Sequence, residues 1–91
     1  MSSAPDPLKE EIKRAIVESL RLPISVEEIE NGMSLFGEGL GLDSIDVLEL
    51  VLEMERRFGV SITDDETGQR VLRSVDTIAD FIVSERARKM A

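Results

Sequence analysis

Ser44 stands in the stretch "LGLDSIDVLELVLEME", with Asp43 before it and Asp46 two residues after. A hydroxyl between two carboxylates has four chemical uses: nucleophile, helix cap, phosphorylation target or attachment point. As a hydrolytic nucleophile it would need an activating base, and the chain has no histidine at all. No lysine lies in the neighbouring residues, and "LDSID" is not a G-x-S-x-G elbow. As a plain cap Ser44 is less well placed than Asp43, which directly precedes the apolar-periodic run. As a phosphorylation site it has nothing positive nearby to receive the phosphate. An exposed hydroxyl in the first turn of a helix does suit a phosphodiester, because free backbone N–H groups there favour an anion. The flanking acids oppose that charge and need an explanation of their own, such as a metal ion or a basic partner during attachment.

The helix that Ser44 opens carries more apolar surface than a core needs. At roughly 100° per residue, Val47, Leu50, Val51, Met54 and Phe58 gather on one stripe, while Ile45, Leu48 and Leu52 gather on another. Asp46, Glu49 and Glu53 run along the edge of the second stripe. Five acids and no base occur between Asp43 and Glu55. Such a helix is either buried on both sides or offered to a partner. In the first case the long preceding loop or the next helix covers the second stripe. In the second, small apolar anchors ringed by acids select basic surfaces.

The rest of the chain must position that helix. Ninety-one residues with 42% hydrophobic and 33% charged residues make one small globular domain. Its three aromatics are all Phe, so the core is aliphatic and favours helices packed on helices. A net charge of −8 argues against nucleic acid and anionic membranes and for basic partners. Without cysteine or histidine there is neither a disulfide framework nor the commonest transition-metal ligand, and no metal or catalytic residues are assigned. No signal peptide or long apolar run is present, so cytoplasmic residence is the default expectation.

The pattern predicts a frayed start over residues 1–5 and a first helix over Pro7–Arg21, capped by Asp6 and ended by Pro23. A twenty-residue connection follows, from Pro23 to Leu42. It holds one turn with a Ser25/Glu28 capping box, then "NGMSLFGEGLGL", whose apolar residues pin it while its glycines bend it. The second helix spans Ser44–Phe58, with Asp43 as N-cap and Gly59 as its stop. An extended "VSI" leads to a short third helix over Asp64–Arg70, capped by Thr63 with Glu66 and weakened by Gly68. Ser74 caps the fourth, which turns Val75, Ile78, Ala79 and Ile82 inward, with Phe81 beside them. Its basic tail, residues 86–91 with Arg86, Arg88 and Lys89, complements the helix dipole. The expected fold is all-α, a small bundle of three main helices plus a short third one.

"LGLDSIDVLELV" resembles the 4′-phosphopantetheine attachment motif of acyl carrier proteins, in which Asp-Ser-Leu/Ile-Asp opens the second helix. The likeness extends over about residues 7–84, through "LELVLEMERRFGVSI", "TDDETGQ" and "SVDTIADFI" in order. Ser34 and Ser61 lack the frame. The resemblance implies that Ser44 carries the arm, and that Asp43 helps coordinate Mg²⁺ while a phosphopantetheinyl transferase installs it. It also implies that Ile45, Asp46, Leu48, Glu49, Leu52, Glu53 and Glu55 face partner enzymes of ketosynthase or acyltransferase type with basic docking surfaces. Such a carrier is a monomer and not an enzyme, and it serves fatty-acid or polyketide synthesis. Peptidyl carriers usually show Gly-Gly-x-Ser, and D-alanyl carriers usually lack the acid at Asp46; both departures favour an acyl carrier. The slightly long loop before Ser44, and Arg56 and Arg57 where acids are common, suggest a specialised one. The competing expectation is an acidic interaction or divalent-cation module that bears no arm.

Overall fold

A computed structural model describes residues 5–37 and 39–90. Among the described residues the helical elements are α1 (Asp6–Leu20), the 3-10 turn Val26–Glu28, α2 (Ser44–Phe58), α3 (Asp65–Val71) and α4 (Val75–Met90). α1 packs against α2 and α4, and the short α3 bridges α2 and α4. The expected all-α bundle is the one observed. Among the described residues no helix is long and apolar enough to cross a membrane.

Burial follows the periodicity. Leu8, Ile12, Ala15 and Ile16 from α1 meet Leu50, Met54 and Phe58 from α2 and Val75, Ile78, Ala79 and Ile82 from α4. Deleting the branched part of one such side chain costs about 2–5 kcal/mol, which is why the stripes hold the helices in register.

Three end positions differ from expectation. Pro5, in extended conformation, precedes α1, so Asp6 is its first helical residue and not its cap; among the described residues no side chain caps its start. Its other end closes on Arg21, whose N–H still reaches the Val17 carbonyl and whose left-handed angles (φ 51°, ψ 48°) bring the Leu22 N–H to the same oxygen at 3.1 Å. α3 is capped by Asp64, one residue later than the expected Thr63/Glu66 box. The Asp64 carboxylate accepts the Thr67 N–H at 2.7 Å and the Thr67 hydroxyl at 3.1 Å. A carboxylate at that spacing reaches the third helical N–H directly, which leaves Thr63 no role in the cap.

The long connection is internally packed. Glu28 accepts the Ser25 N–H at 2.8 Å across the expected turn. Ile29, Leu35 and Leu42 are buried, and Met33, Phe36 and Leu40 pack against them. Backbone bonds then tie the loop to the start of α4: Asp76 N–H to Asn31 O at 2.9 Å, and Leu35 N–H to Arg73 O at 2.9 Å. Leu42 donates to Leu35 O at 3.1 Å, which fixes the chain immediately before α2. Gly39 is required here, since a β-carbon would overlap the Ser34 carbonyl.

α4 begins with a reciprocal cap, Ser74 N–H to Thr77 Oγ1 at 2.9 Å and Thr77 N–H to Ser74 Oγ at 3.2 Å. Its basic end is helical through Met90 and reaches across to α2. Lys89 donates to the Gly59 carbonyl at the α2 C-terminus, and the Arg86 guanidinium lies 5.9 Å from the Phe58 ring centre. The cations thus serve the C-terminal end of the neighbouring helix as well as their own.

Candidate carrier site

Asp43 and Asp46 build the entry to α2. Asp43 Oδ1 accepts the Ile45 N–H at 3.0 Å and the Asp46 N–H at 3.1 Å, and Asp46 Oδ2 accepts the Asp43 N–H in return at 3.1 Å. The Val47 N–H goes to the Asp43 carbonyl. Of the N–H groups expected to favour an anion at this helix start, those of Ile45, Asp46 and Val47 are therefore already engaged by Asp43. Two acids beside Ser44 are explained by the cap they form, before any partner or metal is invoked.

Ser44 is the first helical residue and is exposed. Its hydroxyl makes no hydrogen bond among the described residues. It sits where two depressions meet. One, of about 390 Å³, lies between α2 and α3 and is lined by Val47, Val51, Ile62, Gly68 and Gln69 besides Ser44. The other, of about 460 Å³, runs between the 34–43 loop and α3 toward Arg73, past Ser34, Phe36 and Asp43. A free, outward hydroxyl with room on both sides can take a phosphodiester without displacing any bond of the fold.

The second stripe of α2 is open. Ile45, Leu48 and Leu52 are 68%, 63% and 66% exposed, so neither the loop nor α3 covers them. Glu49 is exposed beside them and Asp46 half-buried.

Glu53, expected on the acidic edge, and Glu55, expected by resemblance to face partners, are used by the fold. Glu53 is only 7% exposed, held by Arg56 Nη2 at 2.5 Å and by Arg57 Nε. The hydrogen bond from Arg57, then that from Arg56, holds its carboxyl below the usual range against the opposing effect of burial. Arg57 continues to Glu18 on α1 at 2.7 Å, and that bond together with Glu53 pushes the guanidinium up. Glu55 accepts the Ile62 N–H at 2.9 Å and fastens the extended segment after α2. The acids left on the open face are Glu49, unpaired among the described residues, and Asp46, whose Oδ2 is already engaged by the Asp43 N–H. The spacing of Glu53 with Arg56 and Arg57, three and four residues on, is the signal that foretells its pairing. No sequence signal foretells that Gly68, Gln69 and Arg73 come to Ser44, because the loop tethers and α3 place them there.

The description "phosphopantetheine attachment site" belongs to the family whose model matches residues 10–82. An acyl carrier protein of Nitratidesulfovibrio vulgaris strain DP4 is 38% identical over 79 residues, covering 87% of this chain and 97% of that protein. Another from the Miyazaki F strain of the same species is 40% identical over 72 residues, covering 79% and 90%. The chain belongs to the acyl carrier protein family. Its domain is the site of a covalently attached 4′-phosphopantetheine, and it is a carrier rather than an enzyme. Family membership implies partnership with a phosphopantetheinyl transferase and with biosynthetic enzymes.

Proposed function

We propose that Ser44 bears the arm and that the open face of α2 presents it to enzymes of fatty-acid or polyketide type, in the cytoplasm and as a monomer. The observation that carries this reading is the Ser44 hydroxyl, exposed and unbonded among the described residues, at the head of a helix face bearing three exposed apolar side chains. The arm supplies a thiol on which an acyl group is held as a thioester. This chain's own part is to hold Ser44 at a fixed place, with Asp43 and Asp46 locking the turn, and to display Ile45, Leu48, Leu52, Asp46 and Glu49 to a basic partner. Asp43 Oδ2 makes no hydrogen bond among the described residues, which leaves it available to a cation during attachment.

Much of the acidity that would serve an armless cation-binding module is committed elsewhere: Glu53 to two arginines, Glu55 to Ile62, Asp64 to Thr67. Among the described residues no three acids gather in metal-binding geometry. Incubation with coenzyme A and a promiscuous transferase, followed by peptide mass spectrometry, tests the attachment. The arm's mass on the Ser44 peptide is expected, and its absence would favour the cation-binding module.

A further inference from the structure

The surroundings of Ser44 pose an electrostatic problem. A phosphodiester on its hydroxyl adds a negative charge next to Asp43 and Asp46, and two of the first-turn N–H groups that would offset it, those of Ile45 and Asp46, are engaged by Asp43. The α2–α3 depression offers no cation: its lining is apolar apart from Ser44, Thr63, Asp64 and Gln69. The second depression does, for Arg73 lines it together with Ser44.

Arg73 is suited to that place. It is exposed and makes no side-chain hydrogen bond or ion pair among the described residues, whereas Arg56, Arg57 and Arg88 are all paired. Its backbone is anchored, because the Arg73 carbonyl accepts the Leu35 N–H and Leu35 in turn accepts from Leu42, two residues before Ser44. Two backbone bonds therefore couple the position of Arg73 to the start of α2. A guanidinium offers a planar fork of N–H donors that matches two phosphate oxygens at once. An exposed pair of this kind is weak between free partners. A phosphate tethered to the far side of the same groove is present at an effective concentration of about millimolar or above, so modest attraction suffices.

We infer that Arg73 is an arm-positioning residue: its guanidinium holds the phosphate of the arm in the groove between the 34–43 loop and α3. The α2–α3 depression is thereby left free. Gln69 lines both depressions and marks where the arm turns from one to the other. This inference rests on Ser44 as the point of attachment, and the test separates the two.

Wild type, Arg73→Ala, Arg73→Lys and Arg70→Ala are loaded with the arm and checked by peptide mass spectrometry. Arg70 is the control, an exposed arginine of α3 that lines neither depression. The ³¹P resonance of the phosphodiester and the Nε–H signals of Arg73 and Arg70 are then followed by NMR, with and without the arm. On loading, the Arg73 Nε–H is expected to shift and to exchange more slowly with water, while the Arg70 signal stays in place. The ³¹P resonance should move in Arg73→Ala, move less in Arg73→Lys and match wild type in Arg70→Ala. An Arg73 Nε–H that is unchanged by loading in wild type overturns the inference, even if Arg73→Ala does not fold. Identical ³¹P resonances in wild type, Arg73→Lys and Arg73→Ala overturn it as well. Failure of wild type to load at Ser44 removes both this inference and the attachment reading, whereas loading without either NMR change removes this one alone.

Discussion

Asp43 and Asp46 cap each other across the first turn of α2, each carboxylate accepting a backbone N–H from the other's residue. Ser44 lies between them and contributes nothing to the cap. The two roles, holding the turn and bearing a group, are thus divided among adjacent residues. Ser44→Ala is expected to melt within about 0.5 kcal/mol of wild type, as a surface change does, and to take up no arm. Asp43→Ala should lose about 1 kcal/mol or somewhat more, the usual cost of an N-cap. Chemical denaturation and intact mass measure both; arm loading on the alanine variant at 44 would refute the assignment.

Docking should respond to the open face and not to the buried one. Glu49→Lys reverses an exposed acid, so it should slow association with a basic partner and flatten the salt dependence of that rate. Leu48→Ala and Leu52→Ala remove side chains that are already in water, so their stability cost should stay below about 0.5 kcal/mol while partner turnover falls. Stopped-flow association and melting curves on the same samples check this. A stability loss of several kcal/mol in either leucine variant would place that stripe in the core.

Glu53 makes a contrasting prediction. Its folded-state carboxyl is held below the ordinary glutamate range because Arg57 and Arg56 donate to it. A depressed carboxylate contributes stability that is fully present above the unfolded pKa and is lost as pH falls through the folded one. Glu53→Gln should therefore cost about 1–3 kcal/mol near pH 7, the worth of hydrogen bonds to a charged group. The gap between variant and wild type should close as pH drops below 4.5. Urea titrations between pH 3 and 7 follow it. A gap that does not change with pH would mean that Glu53 acts through packing and not charge.

Much of this was legible in the sequence. Apolar spacing placed every main helix, and Asp43 and Gly59 marked both ends of α2 because carboxylate caps and left-handed glycine stops leave local signals. The exposed stripe could be drawn on the helix but not declared open, since exposure depends on where the loop and α3 come to rest. A face-by-face reading counts Glu53 as an edge acid, whereas the arginines a turn later, Arg56 and Arg57, pair with it in the fold. Arg73 lies 29 residues beyond Ser44, and long-range backbone bonds such as Leu35–Arg73 and Leu42–Leu35, which leave no local signal, help bring the two to one groove.

The last prediction concerns the depression between α2 and α3. Leu50, Met54, Leu72, Ile78 and Ile82 are fully buried, so none of them opens onto the surface. Space begins instead at Ser44 and passes Val47, Val51, Ile62 and Gly68, with a volume of about 390 Å³. That lies within the usual size of a small-molecule pocket. An apolar acyl chain entering there would leave water, and each buried methylene is worth about 0.8 kcal/mol, or at most roughly 6 kcal/mol for eight before ordering costs. Against a total stability of about 5–15 kcal/mol for a domain of this size, even a third of that gain is visible in melting. Acylated protein is therefore expected to melt higher than protein with the bare arm, by an increment that grows with chain length until the space is full. Gly68 supplies the control. A β-carbon there would meet Ile62 Cγ2 at 3.5 Å and Val51 Cγ2 at 3.7 Å, ordinary contacts that narrow the depression without strain. Gly68→Ala should stabilise the bare-arm form by about 0.5–1 kcal/mol through helix propensity and should shrink the increment gained from longer chains. Equal melting of bare, short-chain and medium-chain forms would show that the chain stays outside, and Gly68→Ala would then raise all of them alike.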